Sequence, residues 1–186
     1  MTTIPRAVIL IEGISDRRAL EALAVRRGRV LTADGVAVVA MGGVQAIGQF
    51  LERFGPRGSD ISVAGLYDVA EEPEVRRGLQ RAELGSGSSR VELEELGFYA
   101  CIEDLEDELI RALSPESVVD IVEERGELGP FRTLQKQPDW RGRPLDQQLR
   151  RFLGNSNRKI DYAPLLVAAL DLSRAPRPLD AVLAHI

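Results

Sequence analysis

Val8-Ile9-Leu10-Ile11-Glu12-Gly13-Ile14-Ser15-Asp16 is the stretch that decides the fold. Four aliphatic residues in a row, with no polar alternation, read as a strand buried on both faces of a parallel sheet. The run stops at Glu12-Gly13. Ser15 or Asp16 then caps a helix whose inward stripe is Ala19, Leu20, Leu23 and Ala24, and Gly28 closes it. The pattern recurs. Residues 36–41 form a second strand ending at Gly42-Gly43, followed by a helix carrying Ile47, Phe50, Leu51 and Phe54 that Gly55-Pro56 terminates. A third strand, 61–67, ends at Asp68, and a helix runs from Pro73 to about residue 84. Strands alternating with helices predict right-handed βαβ units and a parallel sheet. After the loop Gly85-Ser86-Gly87-Ser88-Ser89, residues 97–102 read as a fourth strand. Helical spacing takes over beyond it: one helix around Leu105, Leu109, Ile110 and Leu113, then 118–124, 145–153, 161–172 and 179 to the end. Asp161 as cap and Pro164 in the first turn place Lys159 just ahead of its helix. The predicted organisation is an α/β body over residues 1–113 and a helical extension over 114–186.

With 186 residues, 44% of them hydrophobic, the chain has enough apolar material for one compact unit. Its net charge is -5, from 24 basic and 29 acidic residues, so no overall positive field gathers nucleic acid and any such site must be local. Of the basic residues only Lys136 and Lys159 are lysines, a bias that a GC-rich genome explains and that singles out the two. The single Cys101 and the single, penultimate His185 exclude a disulfide framework, a Cys/His zinc site and His-based triads. No apolar stretch is long enough for a secretory or membrane-spanning segment, and the expectation is a soluble cytoplasmic protein with no membrane partner. No Gly-x-x-x-x-Gly-Lys-Ser/Thr occurs, which excludes a P-loop ATPase within these residues. Chemistry is left to carboxylates, aided by Lys or Arg.

Those carboxylates recur where a parallel sheet places its ligands, at the carboxyl ends of strands. Glu12 ends the first strand, Asp16 opens the next helix and Asp68 ends the third strand. Converging acids repel unless a cation neutralises them, and oxygen ligands select a hard ion, Mg²⁺ or Mn²⁺. Taken singly, each of the three is better explained as a helix cap or a solvated loop acid. The set favours a metal.

The run ending in Glu12-Gly13 resembles the first motif of the TOPRIM domain. Asp16, four residues after Glu12, resembles the version found in the nucleases of the overcoming-lysogenization-defect (OLD) family. Val63-Ala64-Gly65-Leu66-Tyr67-Asp68 resembles the second TOPRIM motif, Asp-x-Asp, except that Ala70 stands where the second Asp belongs and Glu71 or Glu72 must substitute. Met41-Gly42-Gly43 is similar to the family's second strand-to-helix turn. Asp104-Leu105-Glu106 is similar to an OLD segment in which Leu-Glu supplies a further ligand, and Arg158-Lys159-Ile160-Asp161 to the stretch bearing a catalytic Lys. The resemblance implies a TOPRIM, Rossmann-like α/β fold and a divalent-metal-dependent nuclease that hydrolyses DNA phosphodiesters. It implies Glu12, Asp16, Asp68, Glu106 and Glu72 as metal ligands, and Glu12 and Lys159 as catalytic residues. OLD nucleases carry an ATPase domain ahead of the TOPRIM part, so the expectation is a stand-alone nuclease-like domain, with an ATPase partner in trans conceivable.

Charge is segregated in the second half. Residues 92–108 hold eight acids and no base, whereas 132–159 hold eight bases and two acids. The basic stretch is interleaved with Trp140 and Phe152 and makes Arg132, Arg141, Arg143, Arg150, Arg151 and Arg158 candidates for nucleic-acid contact, DNA or RNA. The alternative use of that charge is internal pairing with the acidic segment, with the aromatics in the core. Two other readings stay open for the whole: a catalytically reduced TOPRIM module that binds nucleic acid or a partner protein, and a nucleotidyl transferase or nucleotide hydrolase.

Overall fold

A computed structural model describes residues 4–186. Its centre is a parallel four-stranded sheet in the order β2-β1-β3-β4, with β1 at Ala7–Ile11, β2 at Val36–Ala40, β3 at Ser62–Asp68 and β4 at Phe98–Cys101. The unbroken aliphatic run is explained by position, because β1 lies between β2 and β3 and all of its residues are fully buried. Its side chains still divide by face. Ala7, Ile9 and Ile11 join one hydrophobic cluster, Val8 and Leu10 the other. Gly65 in β3 is required by crowding, since a Cβ there would stand 2.9 Å from the Phe98 ring and 3.0 Å from the Leu10 carbonyl oxygen.

One face is covered by α2 (Ile47–Phe54), α3 (Glu72–Arg81) and α4 (Arg90–Glu95), through Ile47, Leu51, Val75, Leu79 and Leu93. The other carries α1 (Ile14–Arg26) and α5 (Leu105–Leu113), then the helical extension: α6 (Pro115–Glu124), α7 (Leu128–Lys136), α8 (Leu145–Leu153), α9 (Ser156–Ala169) and α10 (Arg177–His185). Val118, Phe131, Phe152 and Leu166 of the extension lie in the same cluster as Ile9 and Leu20 of the body. Among the described residues no helix is long and apolar enough to cross a membrane.

Two local expectations are corrected, for α1 and α9, and one helix, α7, is added. α1 starts at Ile14 with Gly13 as its cap, and Asp16, two residues further in, accepts the Gly13 amide at 2.8 Å. α7 forms across Gly129-Pro130, because Pro130 falls in the first turn, where its missing N–H removes no helical bond. α9 starts at Ser156, five residues before Asp161, so Lys159 sits in its first turn and Pro164 inside the helix. An interior proline deprives the carbonyl four residues back of its donor. That carbonyl, of Ile160, faces the Arg18 guanidinium on α1 at 3.5 Å. About two turns further along α1, Arg26 donates to the carbonyls of Val167 at 2.7 Å and Leu170 at 2.6 Å, satisfying the C-terminal end of α9. Arginines on α1 thus fix where α9, and Lys159 with it, lies over the sheet.

Candidate metal centre

The carboxyl ends of β1 and β3 open side by side. Glu12 follows β1, Asp68 is the last residue of β3, and the 3₁₀ turn Val69–Glu71 returns Glu71 to the same place. Glu12, Asp68 and Glu71 each offer a carboxylate oxygen, all within 4.8 Å of one another. Asp16, Asp104, Glu106 and Lys159 line the same cleft, whose volume is about 300 Å³. One wall is the Gly42-Gly43 turn, with φ of 76° and 127°, a left-handed path open to glycine. The Gly42 amide donates to the Glu12 carbonyl at 2.9 Å and ties the turn after β2 to the turn after β1.

The charges in this cleft are unbalanced. Burial pushes the Asp68 carboxyl up to about 7, and the charges of Glu71, Asp104, Glu12 and Asp16 add to it. Burial also raises Asp16 to about 6, against the Gly13 amide, which holds it down, while Glu106 and Glu12 raise it further. Glu71 is raised by burial and then by Glu12, and its Oε2 is buried without a hydrogen-bond partner among the described residues. Opposite them, Lys159 Nζ donates to Glu106 Oε2 at 2.9 Å. Glu106 is nearly fully buried, its side chain 7% exposed, and the Lys159 ammonium gives it an ion-pair partner there. Burial lowers the Lys159 pKa, but Glu106, with Asp104 and Asp16, more than offsets that and the net shift is upward. Cys101, also lining the cleft, has its thiol pushed far up by burial and is no thiolate ligand near neutral pH. An all-carboxylate donor set with an orphaned buried oxygen suits a hard divalent cation.

Of the ligands expected from sequence, Glu12 and Asp68 converge, and Asp16 and Glu106 line the cleft beside them. Glu72 does not join them. It opens α3 and is bound by Arg76 one turn on, at 2.5 Å, and by Arg90 at 3.2 Å, while its neighbour Glu71 occupies the expected place. Asp104 was legible as an acid at the end of the fourth strand but was not singled out. It caps α5 through the Asp107 amide at 2.8 Å and holds Arg150 Nε at 2.7 Å.

The arginines divide. Arg150 is paired with Asp104 and, at 3.0 Å, with Glu103, and Arg158 with Glu127 at 2.6 Å, so internal pairing takes up these two. Phe152 and Phe131 are buried edge to face at 5.1 Å and belong to the core. Arg132, Arg141, Arg143 and Arg151 are exposed and make no ion pair among the described residues. Arg143 and Arg151 stand over the partly exposed Trp140 ring at 5.5 and 6.0 Å. The three line a groove of about 610 Å³ that meets the acidic cleft at Asp104 and Lys159, and Arg132 and Arg141 lie outside it.

Residues 5–69 match the family model described as overcoming lysogenization defect protein-like, TOPRIM domain. Among curated proteins none matches the sequence. Among solved structures, the C-terminal region of the Xanthomonas campestris pv. campestris OLD protein is similar at TM-score 0.75 and 22% identity, over 98% of this chain and 92% of that one. The C-terminal region of the Burkholderia pseudomallei OLD protein is similar at TM-score 0.71 and 20% identity, over 98% of this chain and 97% of that one. Residues 5–69 thus match the TOPRIM model of OLD-like proteins, and the chain as a whole has the fold of the C-terminal regions of OLD proteins.

Proposed function

We propose that the chain is a divalent-metal-dependent nuclease that hydrolyses DNA phosphodiester bonds, acting in the cytoplasm, with residues 1–113 supplying the acids and 114–186 completing the site. The convergence of Glu12 and Asp68 opposite the Lys159–Glu106 pair carries this reading. Mg²⁺ or Mn²⁺ bound by Glu12 and Asp68, with Asp16 and Glu106 as further ligands, would supply charge neutralisation and an acidified water. The protein's own groups do the rest. The Lys159 ammonium has three N–H donors, and the contact with Glu106 uses one, leaving two to stabilise negative charge developing on a phosphate. In the metal-free cleft Asp16 and Asp68, with carboxyls raised to about 6 and about 7, take up protons near neutral pH, which a bound cation would displace. Arg143 and Arg151 contact the backbone of a strand leaving the cleft, and Trp140 offers a face for an unpaired base.

Ala70 supports a second reading, a TOPRIM module that binds nucleic acid or a protein partner, such as an ATPase in trans, without cutting. A plasmid cleavage assay with Mg²⁺ or Mn²⁺ separates the two. Nicked or linear product that disappears in Glu12→Ala is expected, and equal conversion by the wild type and the variant refutes the nuclease reading. RNA and free nucleotides as parallel substrates locate the activity within phosphoryl chemistry.

A further inference from the structure

We propose that Glu71 replaces the carboxylate missing at position 70, so that Glu12, Asp68 and Glu71 form one fully furnished place for a single divalent cation. This rests on the metal-dependent reading above. The backbone supplies the reason for the relocation. Asp68 ends β3 in extended conformation, and the 3₁₀ turn of residues 69–71 bends the chain back at once. Glu71 at the end of that turn comes back beside Asp68, whereas the intervening Ala70 is exposed. An Asp at position 70 of this turn would point away. A longer side chain at position 71 reaches the cleft instead, within 4.8 Å of both partners.

The surroundings of Glu71 separate it from an ordinary loop acid. Its neighbours Glu72 and Glu74 are each bound by arginine, Glu72 by Arg76 and Arg90 and Glu74 by Arg77. Glu71 has no such partner among the described residues, and its Oε2 is buried without a hydrogen bond. A native fold seldom leaves a buried carboxylate oxygen unsatisfied, because desolvating it is unfavourable unless something takes the place of water. A cation between the three carboxylates satisfies that oxygen and removes their mutual repulsion in one step.

Calorimetric titration of the metal-depleted protein with Mn²⁺ tests this without reference to activity. Wild type should bind one ion tightly, Glu71→Gln should bind at least roughly 10- to 100-fold more weakly, and Glu72→Gln should match wild type. Glu71→Asp, which keeps the charge but shortens the reach, should fall between wild type and Glu71→Gln, with circular dichroism reporting that each variant is folded. If wild type and Glu71→Gln bind alike, or if Glu72→Gln carries the loss instead, the assignment of Glu71 is overturned while the metal reading stands. If wild type binds no Mn²⁺, both fall together.

Discussion

Replacing Asp68 with Asn should stabilise the metal-free protein at pH 8 and yet leave it the less stable of the two once Mn²⁺ is present. The Asp68 carboxyl is raised from the usual carboxylate range to about 7, first by burial and then by Glu71, Asp104, Glu12 and Asp16. A carboxyl with a higher pKa in the folded than in the unfolded state takes up a proton on folding, so its ionisation opposes folding. Stability then declines as pH rises from about 4 to about 7 and stays reduced above that. At full weight a displacement of this size is about 4 kcal/mol. Asp68 is partly open to solvent, and screening reduces the effect to about 1–2 kcal/mol. Asn keeps the shape and cannot ionise, so Asp68→Asn gains that amount at pH 8, about 2–8 °C in Tm for a chain of this length, and nothing at pH 4. Mn²⁺ at a hundredfold excess over its Kd adds about 2.7 kcal/mol to the wild type. The variant, lacking an anionic ligand, gains little, and the order of the two Tm values reverses. Thermal unfolding at pH 4, 6 and 8, in EDTA and in Mn²⁺, measures all of this. A variant less stable than wild type at pH 8 in EDTA, or a difference that is the same at pH 4 and pH 8, refutes the reasoning.

Lys159→Met should destabilise the protein at neutral pH by about 1–3 kcal/mol, since Glu106 is left buried without its partner. Lys159→Met/Glu106→Gln should recover most of that loss in urea unfolding, and a double variant no better than the single one would show that the ion pair is not what the lysine contributes. Trp140 is the only tryptophan, so its fluorescence reports on the groove directly. Single-stranded oligonucleotide in EDTA should quench it, Arg151→Ala should weaken that binding severalfold, and unchanged emission at saturation would remove Trp140 from the substrate path. Gly65→Ala should destabilise by about 1–3 kcal/mol through the clash with Phe98 and Leu10; a Tm equal to wild type would show that the sheet relaxes around the added methyl.

The sheet was legible because strands buried on both faces leave continuous aliphatic runs in the sequence, and the acids at their ends stand out against those runs. What the sequence hid depends on contacts between distant segments or on turn geometry. Pro164 reads as part of a helix's first turn, and its place inside α9 is tolerated because Arg18, far away in the sequence, stands at the carbonyl it leaves unbonded. Choosing between Glu71 and Glu72 requires knowing that a 3₁₀ turn follows Asp68, and hydrophobic periodicity carries no trace of it. The basic segment was visible as a block of charge, but which arginines remain available is decided by where Glu103, Asp104 and Glu127 lie in space.

The grip of α1 on α9 sets an order of events during synthesis. Every acid of the cleft, from Glu12 to Glu106, leaves the ribosome before the lysine that faces them. A nascent chain that has emerged only as far as Leu113 holds the carboxylates without Lys159, and Arg18 and Arg26 still lack the carbonyls they will bind. Docking of α9 supplies both at once. An activity that needs Lys159 is therefore withheld from the growing polypeptide and first becomes available when its later helices close over the sheet.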